Sequence, residues 1–152
     1  MPHGQPPDGL MRHAIRLASS VDLPFGALIV RRGTGEILAE GVNRTDESPT
    51  LHAEIDAINR CASRHPGIDW RELDLYATAE PCPMCQGAIE FAGIGTVYYG
   101  ASIPWLQSQG WWQIDLRAAE LARRSPTGGA RLIGGVLEAE CHALFEARGP
   151  KS

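Results

Sequence analysis

The sequence lacks any apolar run that approaches the roughly 18 residues needed for a membrane-spanning helix. Its amino end also lacks the basic region and apolar stretch of a secretory signal. Residues 1–9 are instead rich in proline and glycine, so we expect a flexible arm there and no membrane partner. No repeat, low-complexity tract or long linker divides the remainder, which predicts a single domain over residues 10–148.

Basic side chains are outnumbered, because 14 Lys and Arg stand against 18 Asp and Glu, a formal net charge of −4. Proteins that bind nucleic acid draw much of their affinity from cations placed against phosphates. The charge therefore disfavours a nucleic-acid partner, although a local basic patch stays possible. The two basic pairs, Arg31-Arg32 and Arg123-Arg124, do not extend into longer runs.

Cysteine is scarce as well, with four residues in the chain. Without a secretory signal we expect a reducing, cytoplasmic compartment, where disulfides are rare. In that setting the close pair Cys82 and Cys85 indicates metal binding or redox chemistry. Cys61 and Cys141 are expected to be small buried side chains.

What the sequence does contain is an alternation of helical and extended segments. Apolar spacing predicts helices over residues 10–20, 50–62, 81–92, 116–124 and 137–147. Apolar or alternating stretches predict strands over residues 25–30, 37–42, 73–77, 96–99 and 131–133. The turn at residues 32–35 makes the first two strands an antiparallel hairpin. Strands that alternate with helices indicate a layered α/β fold.

Two segments carry the residue types of a metal site. His52 stands at the start of one predicted helix, and Cys82 and Cys85 stand at the start of the next. Cys82 and Cys85 are three residues apart, so they share a helix face and can point at one ion. One imidazole and two thiolates suit tetrahedral Zn²⁺, and three protein ligands leave a fourth position open for catalysis.

Glu54 lies two residues after His52, which a regular helix would place about 200° around its axis. In the first turn, however, both side chains can border one cleft. Zinc lowers the pKa of water from 15.7 to about 7 in favourable sites, and a positioned carboxylate can then move the protons. We therefore predict that Glu54 is the general acid and base.

Two other interpretations of these residues stay open. The pair Cys82 and Cys85 could be a thioredoxin-like redox pair, although the His-x-Glu segment argues against this. A structural zinc would need a fourth ligand, for which Cys61, His65 and Cys141 are candidates without suitable ligand spacing.

The paired motif His-x-Glu and Pro-Cys-x-x-Cys is the signature of zinc nucleobase deaminases. The sequence resembles the cytidine-deaminase-like superfamily, and within it the branch of guanine deaminases and tRNA adenosine deaminases. The resembling residues are Leu23-Pro24-Phe25-Gly26-Ala27, Asn43, Pro49-Thr50-Leu51-His52-Ala53-Glu54-Ile55 and Glu80-Pro81-Cys82-Pro83-Met84-Cys85 with Gly87-Ala88-Ile89. Beyond Gly100 the likeness weakens and returns at Gly134-Gly135-Val136-Leu137 and Glu140-Cys141.

The resemblance implies a three-layer α/β sandwich, in which helices flank a central mixed sheet of about five strands. It implies one zinc ion per chain, bound by His52, Cys82 and Cys85, and a homodimer or higher oligomer. It also implies substrate contacts, which would be the Asn43 side chain, the Ala53 backbone, aromatic walls from Phe25 and Phe91, and an acidic contact from Asp115.

Trp105, Trp111 and Trp112 crowd into eight positions, so we do not expect all three to be interior. Such a cluster favours either a hydrophobic lid or dimer contact, or a loop that stacks on substrate and closes the pocket. Aromatic enrichment is common at interfaces. We expect a mixture of these roles.

Three functions follow as hypotheses. The first is zinc-dependent hydrolytic deamination of a nucleobase, nucleoside or related amino-heterocycle, with guanine as the first candidate. The second is a tRNA-specific adenosine deaminase that acts on a flipped base, although residues 144–148 are less basic than that group shows. The third is a catalytically silent, zinc-stabilised binding module.

Overall fold

The computed structural model describes residues 7–150, which form helices, five strands and a 3-10 turn at Trp70–Glu72. Helices α1 to α6 span Pro7–Ala18, Ala53–Arg64, Pro83–Ala92, Ile103–Ser108, Ala118–Arg123 and Glu138–Arg148. Strands β1 to β5 span Gly26–Arg31, Ile37–Val42, Leu73–Ala79, Thr96–Ala101 and Arg131–Ile133. No helix within residues 7–150 has the length and apolar character to cross a membrane.

The five strands form one mixed sheet in the order β2-β1-β3-β4-β5. Strand β1 runs antiparallel to both β2 and β3, whereas β3, β4 and β5 are parallel. Gly26 pairs with Val42, and Ala27 pairs with Ala77. The start of β1 therefore lies at the same sheet edge as the ends of β2 and β3. This register brings the segments after β2 and β3 together.

Helices cover both faces of the sheet, so the predicted three-layer mixed α/β sandwich is confirmed. On one face, α1 and α6 pack against the sheet through an apolar cluster that includes Leu10, Met11, Leu28, Val30 and Phe145. On the other face, α2 and α3 contribute to a second cluster that includes Ala53, Ala57, Ile29, Leu75 and Ile89. Both clusters are almost fully buried.

Helix α2 lies unusually close to β2 because Gly41 has no side chain. A Cβ atom at Gly41 would overlap the Ala53 carbonyl oxygen and lie 2.6 Å from the Ala57 amide nitrogen. The sequence Gly41, Ala53 and Ala57 thus lets the first two turns of α2 rest directly on the strand. This contact holds the start of α2 in place beside the sheet edge.

The N-terminal arm predicted over residues 1–9 is wrong from Pro7 onward, because α1 begins there. Proline suits the start of a helix, where its missing N–H has no helical partner, and Asp8 complements the positive end of the helix. Residues 1–6 lie outside the described part of the chain. The predicted antiparallel hairpin is confirmed, and β2 and β5 begin and end at the predicted residues.

The predicted helices begin one to three residues from the observed starts, and α5 and α6 start at Ala118 and Glu138 rather than at residues 116 and 137. Helix α2 begins at Ala53 rather than residue 50, because the Leu51 and His52 amides donate within the preceding loop, to the carbonyls of Ser48 and Thr50. Helix α3 begins at Pro83, with Cys82 outside it. Helix α4 was not predicted, although the Ser102 hydroxyl accepts a hydrogen bond from the Trp105 amide as an N-terminal cap.

Candidate active site

His52 and Cys82 each stand directly before a helix, α2 and α3 respectively, with extended backbone. Neither side chain caps the free N–H groups of its helix, so both are available to another partner. Cys85 lies in the first turn of α3 and is fully buried. Because α2 and α3 follow β2 and β3, both helix starts lie near one edge of the sheet.

The ligand atoms of these three residues converge. The His52 Nδ1 atom lies 3.5 Å from the Cys82 sulfur and 3.6 Å from the Cys85 sulfur, and all three atoms lie within 4.8 Å of one another. A tetrahedral zinc ion with ordinary Zn–N and Zn–S bonds would separate nitrogen from sulfur by about 3.5 Å. The donor set and its spacing therefore fit zinc.

The pKa values of the Cys82 and Cys85 thiols are shifted in opposite directions. Hydrogen bonding with Cys85 and His52 lowers the pKa of Cys82 to about 4, although burial opposes this shift. Pairing with Cys82, together with burial, raises the pKa of Cys85, and the hydrogen bond to Cys82 raises the pKa of His52. Cys82 is thus a thiolate at neutral pH, the form that binds metals.

Glu54 lies beside this centre, at the second position of α2, and is 5% exposed. Burial raises its pKa to about 7, and the negative charge of Cys82 adds to the effect. Because His52 is extended rather than helical, the 200° separation of a regular helix does not apply, and both side chains border the same cavity. No Lys or Arg within residues 7–150 forms an ion pair with Glu54.

That cavity has a volume of about 500 Å³, within the usual range of small-molecule sites. It combines an apolar wall with a few polar groups, and no Lys or Arg of the described chain lines it. The lining residues are Leu23, Phe25, Asn43, Thr45, Pro49, Thr50, His52, Glu54, Glu80, Cys82, Met84, Trp111, Trp112, Gln113 and Ile114. A neutral, flat, partly polar ligand suits such a lining better than a phosphate does.

Two predicted substrate residues line the cavity. Phe25 also packs edge-to-face on Trp111 and Phe145, with ring centroids 6.2 and 5.1 Å apart, so it serves both core and cavity wall. The Asn43 side-chain oxygen accepts hydrogen bonds from the amide and hydroxyl of Thr45. Because a backbone amide can only donate, the oxygen must face Thr45, which leaves the Asn43 amide nitrogen for a ligand.

The contact predicted for the Ala53 backbone stays a prediction, because burial of the Ala53 side chain against the sheet does not test it. The other two predicted contacts lie outside the cavity. Phe91 is 94% exposed and stands outside the cavity, beside a second, shallower depression that includes Leu121 and Pro126; its prediction as a cavity wall is corrected. The exposed Asp115 carboxylate accepts a 3.4 Å hydrogen bond from the Gln107 amide and does not line the cavity, although the preceding Gln113 and Ile114 do.

The alternative ligands do not join the metal centre. Among residues 7–150 the candidate metal group contains His52, Cys82 and Cys85 and no fourth ligand. Cys61 and Cys141 are buried in opposite core clusters, as predicted small core residues should be. All four cysteines are free thiols, and the His52 ring faces both sulfurs of the close pair, an arrangement that favours metal binding over a redox pair.

The family model of the cytidine and deoxycytidylate deaminase zinc-binding region matches residues 6–101. The chain belongs to this deaminase family. The match includes the metal centre, Glu54, Phe25 and Asn43. Zinc is therefore the metal that both the family and the donor set indicate.

Several curated relatives resemble this chain over about 60% of its length. A tRNA-specific adenosine deaminase of Streptococcus pyogenes is 44% identical over 96 residues, 60% of this chain and 58% of the relative. The guanine deaminase of Bacillus subtilis is 39% identical over 98 residues, 60% of this chain and 62% of the relative. The chain thus matches less than two thirds of either length.

The fold likeness extends further than the sequence likeness. The solved guanine deaminase from Nitrosomonas europaea superimposes with a TM-score of 0.82 at 24% identity, over 97% of this chain and 88% of that one. At this identity the likeness concerns the fold. It does include the C-terminal third, where the family model no longer matches.

This C-terminal third supplies one wall of the cavity. Trp111 is buried and Trp112 is 69% exposed, and both line the cavity together with Gln113 and Ile114. Trp105 stacks on His142, with ring centroids 3.7 Å apart and planes within 1° of parallel. The expectation that not all three tryptophans are interior is confirmed by Trp112, whereas the lid, dimer-contact and substrate-stacking roles stay predictions.

Sequence reasoning missed the role of Glu80, a nearly fully buried side chain that also lines the cavity. Its carboxylate accepts hydrogen bonds from the amides of Ile103 and Ala118, each 2.8 Å long, and from the Arg117 guanidinium at 3.0 Å. A charged residue directly after an apolar strand was a signal that a buried partner exists. That partner, Arg117, lies 37 residues away and could not be read from the motif.

Proposed function

We propose that this protein is a zinc-dependent hydrolytic deaminase of a nucleobase, nucleoside or related amino-heterocycle, with guanine as the first candidate. The observation that carries the proposal is the position of Glu54. It is buried, lacks a cationic partner among residues 7–150, and borders the same cavity as His52 and Cys82. Burying a carboxylate without a cationic partner costs stability, so a functional role explains it best.

His52, Cys82 and Cys85 hold one zinc ion per chain, which supplies the activation of water by lowering its pKa towards about 7. Glu54 accepts the proton that the attacking water loses and passes it to the substrate. The water oxygen bonds to the ring carbon that bears the exocyclic amine, the C–N bond breaks, and ammonia leaves. A positioned acid and base of this kind contributes roughly 10²–10⁴-fold to the rate.

The cavity wall supports a flat heterocycle. Phe25 and Trp111 present aromatic surface, and the Asn43 amide nitrogen offers a hydrogen-bond donor to a ring carbonyl or ring nitrogen. Asp115 lies two residues after Gln113, which lines the cavity. Its carboxylate could contact a ligand there only if it gave up its hydrogen bond from Gln107. Guanine has both a carbonyl and an exocyclic amine, which fits this set of groups.

A second candidate is deamination of adenosine in tRNA, favoured by the 44% identity to a tRNA-specific adenosine deaminase. Against it stand the net charge of −4 and a cavity that no Lys or Arg of the described chain lines. Inosine formation in tRNA, measured over a range of salt concentrations, distinguishes the two candidates, because phosphate binding weakens steeply with salt.

The third candidate, a silent zinc-stabilised module, does not explain why Glu54 is buried beside the metal ligands.

We also propose a cytoplasmic location, because all four cysteines are free thiols and disulfides are rare in that reducing compartment. A homodimer is the proposed assembly, with the exposed Phe91 and its neighbouring depression as the contact surface.

The test is ammonia release from guanine, guanosine, adenine, cytosine and cytidine by the zinc-loaded protein. We expect turnover of guanine above the other compounds. If no free base or nucleoside in this set releases ammonia, while tRNA is converted, the second candidate replaces the first.

A further inference from the structure

Asp56 is a buried carboxylate for which the proposed reaction has no use. It lies in the first turns of α2, the helix that carries Glu54, and is 5% exposed. Burial alone would raise its pKa, but hydrogen bonds from Arg60, Val42 and Arg44 outweigh burial and lower it. Asp56 is therefore a buried, charged side chain with several partners.

Two of those partners, Val42 and Arg44, lie on either side of Asn43 in the sequence. One carboxylate oxygen of Asp56 accepts a 3.1 Å hydrogen bond from the Val42 amide and a 3.0 Å hydrogen bond from the Arg44 guanidinium. The other oxygen accepts a 2.9 Å hydrogen bond from Arg60. Because β2 ends at Val42, the carboxylate ties the exit of the strand and the following loop to α2.

The remaining contacts of Asn43 complete its orientation. Its backbone amide donates to the Phe25 carbonyl at 3.2 Å, and its side-chain oxygen accepts from Thr45 at 3.1 and 2.8 Å. The segment between β2 and α2 would otherwise be a loop that must lose conformational freedom when a ligand binds. A loop held in its binding geometry beforehand avoids that cost.

We propose that Asp56 is a positioning residue, which fixes Asn43 at the cavity wall relative to the metal centre through Val42 and Arg44. The inference rests on the proposed function, since it takes Asn43 as a substrate contact. One helix then carries both the proton-transferring carboxylate and the carboxylate that holds the binding amide. Asp56 touches no reacting atom, so its effect falls on substrate binding.

A purely structural role is the alternative, and Asp74 provides the matched control. Asp74 is 6% exposed and its carboxylate accepts two hydrogen bonds from the Arg32 guanidinium, at 3.0 and 2.8 Å. It lies near the start of β3, at the opposite end of that strand from Cys82. Its removal also breaks the ion pair of a buried carboxylate, but leaves the loop of Asn43 untouched.

The experiment compares Asp56→Ala with Asp74→Ala, and Asp56→Asn with Asp74→Asn if an alanine variant does not fold. Three quantities are measured, which are zinc content, KM and kcat for ammonia release from guanine, and amide hydrogen exchange of residues 42–51. We expect Asp56→Ala to raise KM about tenfold, as loss of a charged hydrogen bond would, with kcat changed less than about threefold. Exchange in residues 42–51 should rise and zinc content should not change. Asp74→Ala should leave KM and that exchange as in the wild type.

Unchanged exchange over residues 42–51 in Asp56→Ala would overturn the inference, and so would an equal KM change in Asp74→Ala. If the wild-type protein releases no ammonia from guanine, the proposed substrate fails, and hydrogen exchange alone then decides whether Asp56 orders the loop. The two failures are therefore distinguishable.

Discussion

The metal centre is built from residues that stand before helices rather than within them. His52 and Cys82 are each the last residue before a helix, and only Cys85 lies inside one of the two helices. This placement leaves their side chains free of local capping bonds. It also explains why His52 and Glu54 can face one cavity despite their spacing in the chain.

At the residue scale we predict that Cys85→Ser loses bound zinc. Serine oxygen is a poorer ligand for Zn²⁺ than thiolate sulfur, so the affinity should fall by at least about tenfold. Zinc per chain, measured by atomic absorption after dialysis, should be near one in the wild type. Cys61→Ala, at a buried thiol in the core, is the control and should retain its zinc. Full occupancy in Cys85→Ser would contradict the ligand assignment.

We also predict a binding defect for Asn43→Asp. The carboxylate keeps an acceptor for Thr45, removes the amide nitrogen offered to a ligand and adds a negative charge to the cavity wall. KM for guanine should rise about tenfold or more, because an unmet substrate acceptor costs roughly 1–3 kcal/mol. The same change at the exposed Asn59, Asn59→Asp, should leave steady-state kinetics unaltered. Equal KM values for the two variants would argue against Asn43 as a contact.

Residue types and spacing were enough to predict the ligand triad and its partner Glu54. The motif was specific because imidazole, two thiolates and a carboxylate coincide in it. The sequence also indicates that Phe91 lies on the solvent-facing side of α3. Ile89 is buried and Phe91 follows two residues later, about 200° around the helix, so Phe91 faces outward.

At the scale of elements, Glu80 connects the strand that leads to Cys82 with the starts of α4 and α5. Replacement by Gln removes the charge that Arg117 meets, and Gln offers one acceptor where the carboxylate has two. Arg117 is half exposed, so solvent screening limits the loss, and we predict about 1–3 kcal/mol lower free energy of unfolding for Glu80→Gln.

Urea unfolding at neutral pH measures this change. Glu120→Gln is the matched control, because Glu120 pairs with Arg123 and Arg124 in solvent-screened ion pairs, and it should leave the unfolding midpoint unchanged. An unchanged unfolding midpoint for Glu80→Gln would mean that the buried carboxylate does not hold these elements together.

The helices and strands could be predicted where apolar patterns and turn residues specify them locally. Features that depend on contacts between distant residues could not be predicted. The hairpin of β1 and β2 follows from apolar stretches around a glycine turn. Helix α4 carried a readable start, Ser102 followed by Pro104, that was overlooked. The bonds of Glu80 to Ile103 and Ala118 join residues more than 20 positions apart, and no local pattern encodes them.

At the scale of the whole molecule, the exposed Phe91 is the feature that a second copy would explain. We predict that Phe91→Ser shifts the protein from dimer to monomer in sedimentation experiments. The proposed dimer would bury the Phe91 ring, and its loss would remove an interface anchor. Trp112→Ser, at another exposed aromatic residue, should leave the assembly unchanged. A wild-type protein that sediments as a monomer would remove the proposed dimer.

The metal centre and one wall of the cavity lie in different parts of the chain, which explains why the reaction type is easier to infer than the substrate. The family match ends at residue 101, and the metal centre lies inside it. The wall formed by Trp111, Trp112, Gln113 and Ile114 lies beyond it. A reaction type can therefore be inferred from the matched part, whereas recognition of one ring depends on the divergent part.

The most direct test of the account compares wild-type protein with Glu54→Gln at equal zinc content. Glutamine keeps the shape of the side chain but cannot accept and return a proton. We predict that the variant binds one zinc per chain, as the wild type does, and releases ammonia from guanine at least about 10²-fold more slowly. Ammonia release at the wild-type rate by zinc-loaded Glu54→Gln would contradict the assignment of Glu54, and with it the proposed mechanism.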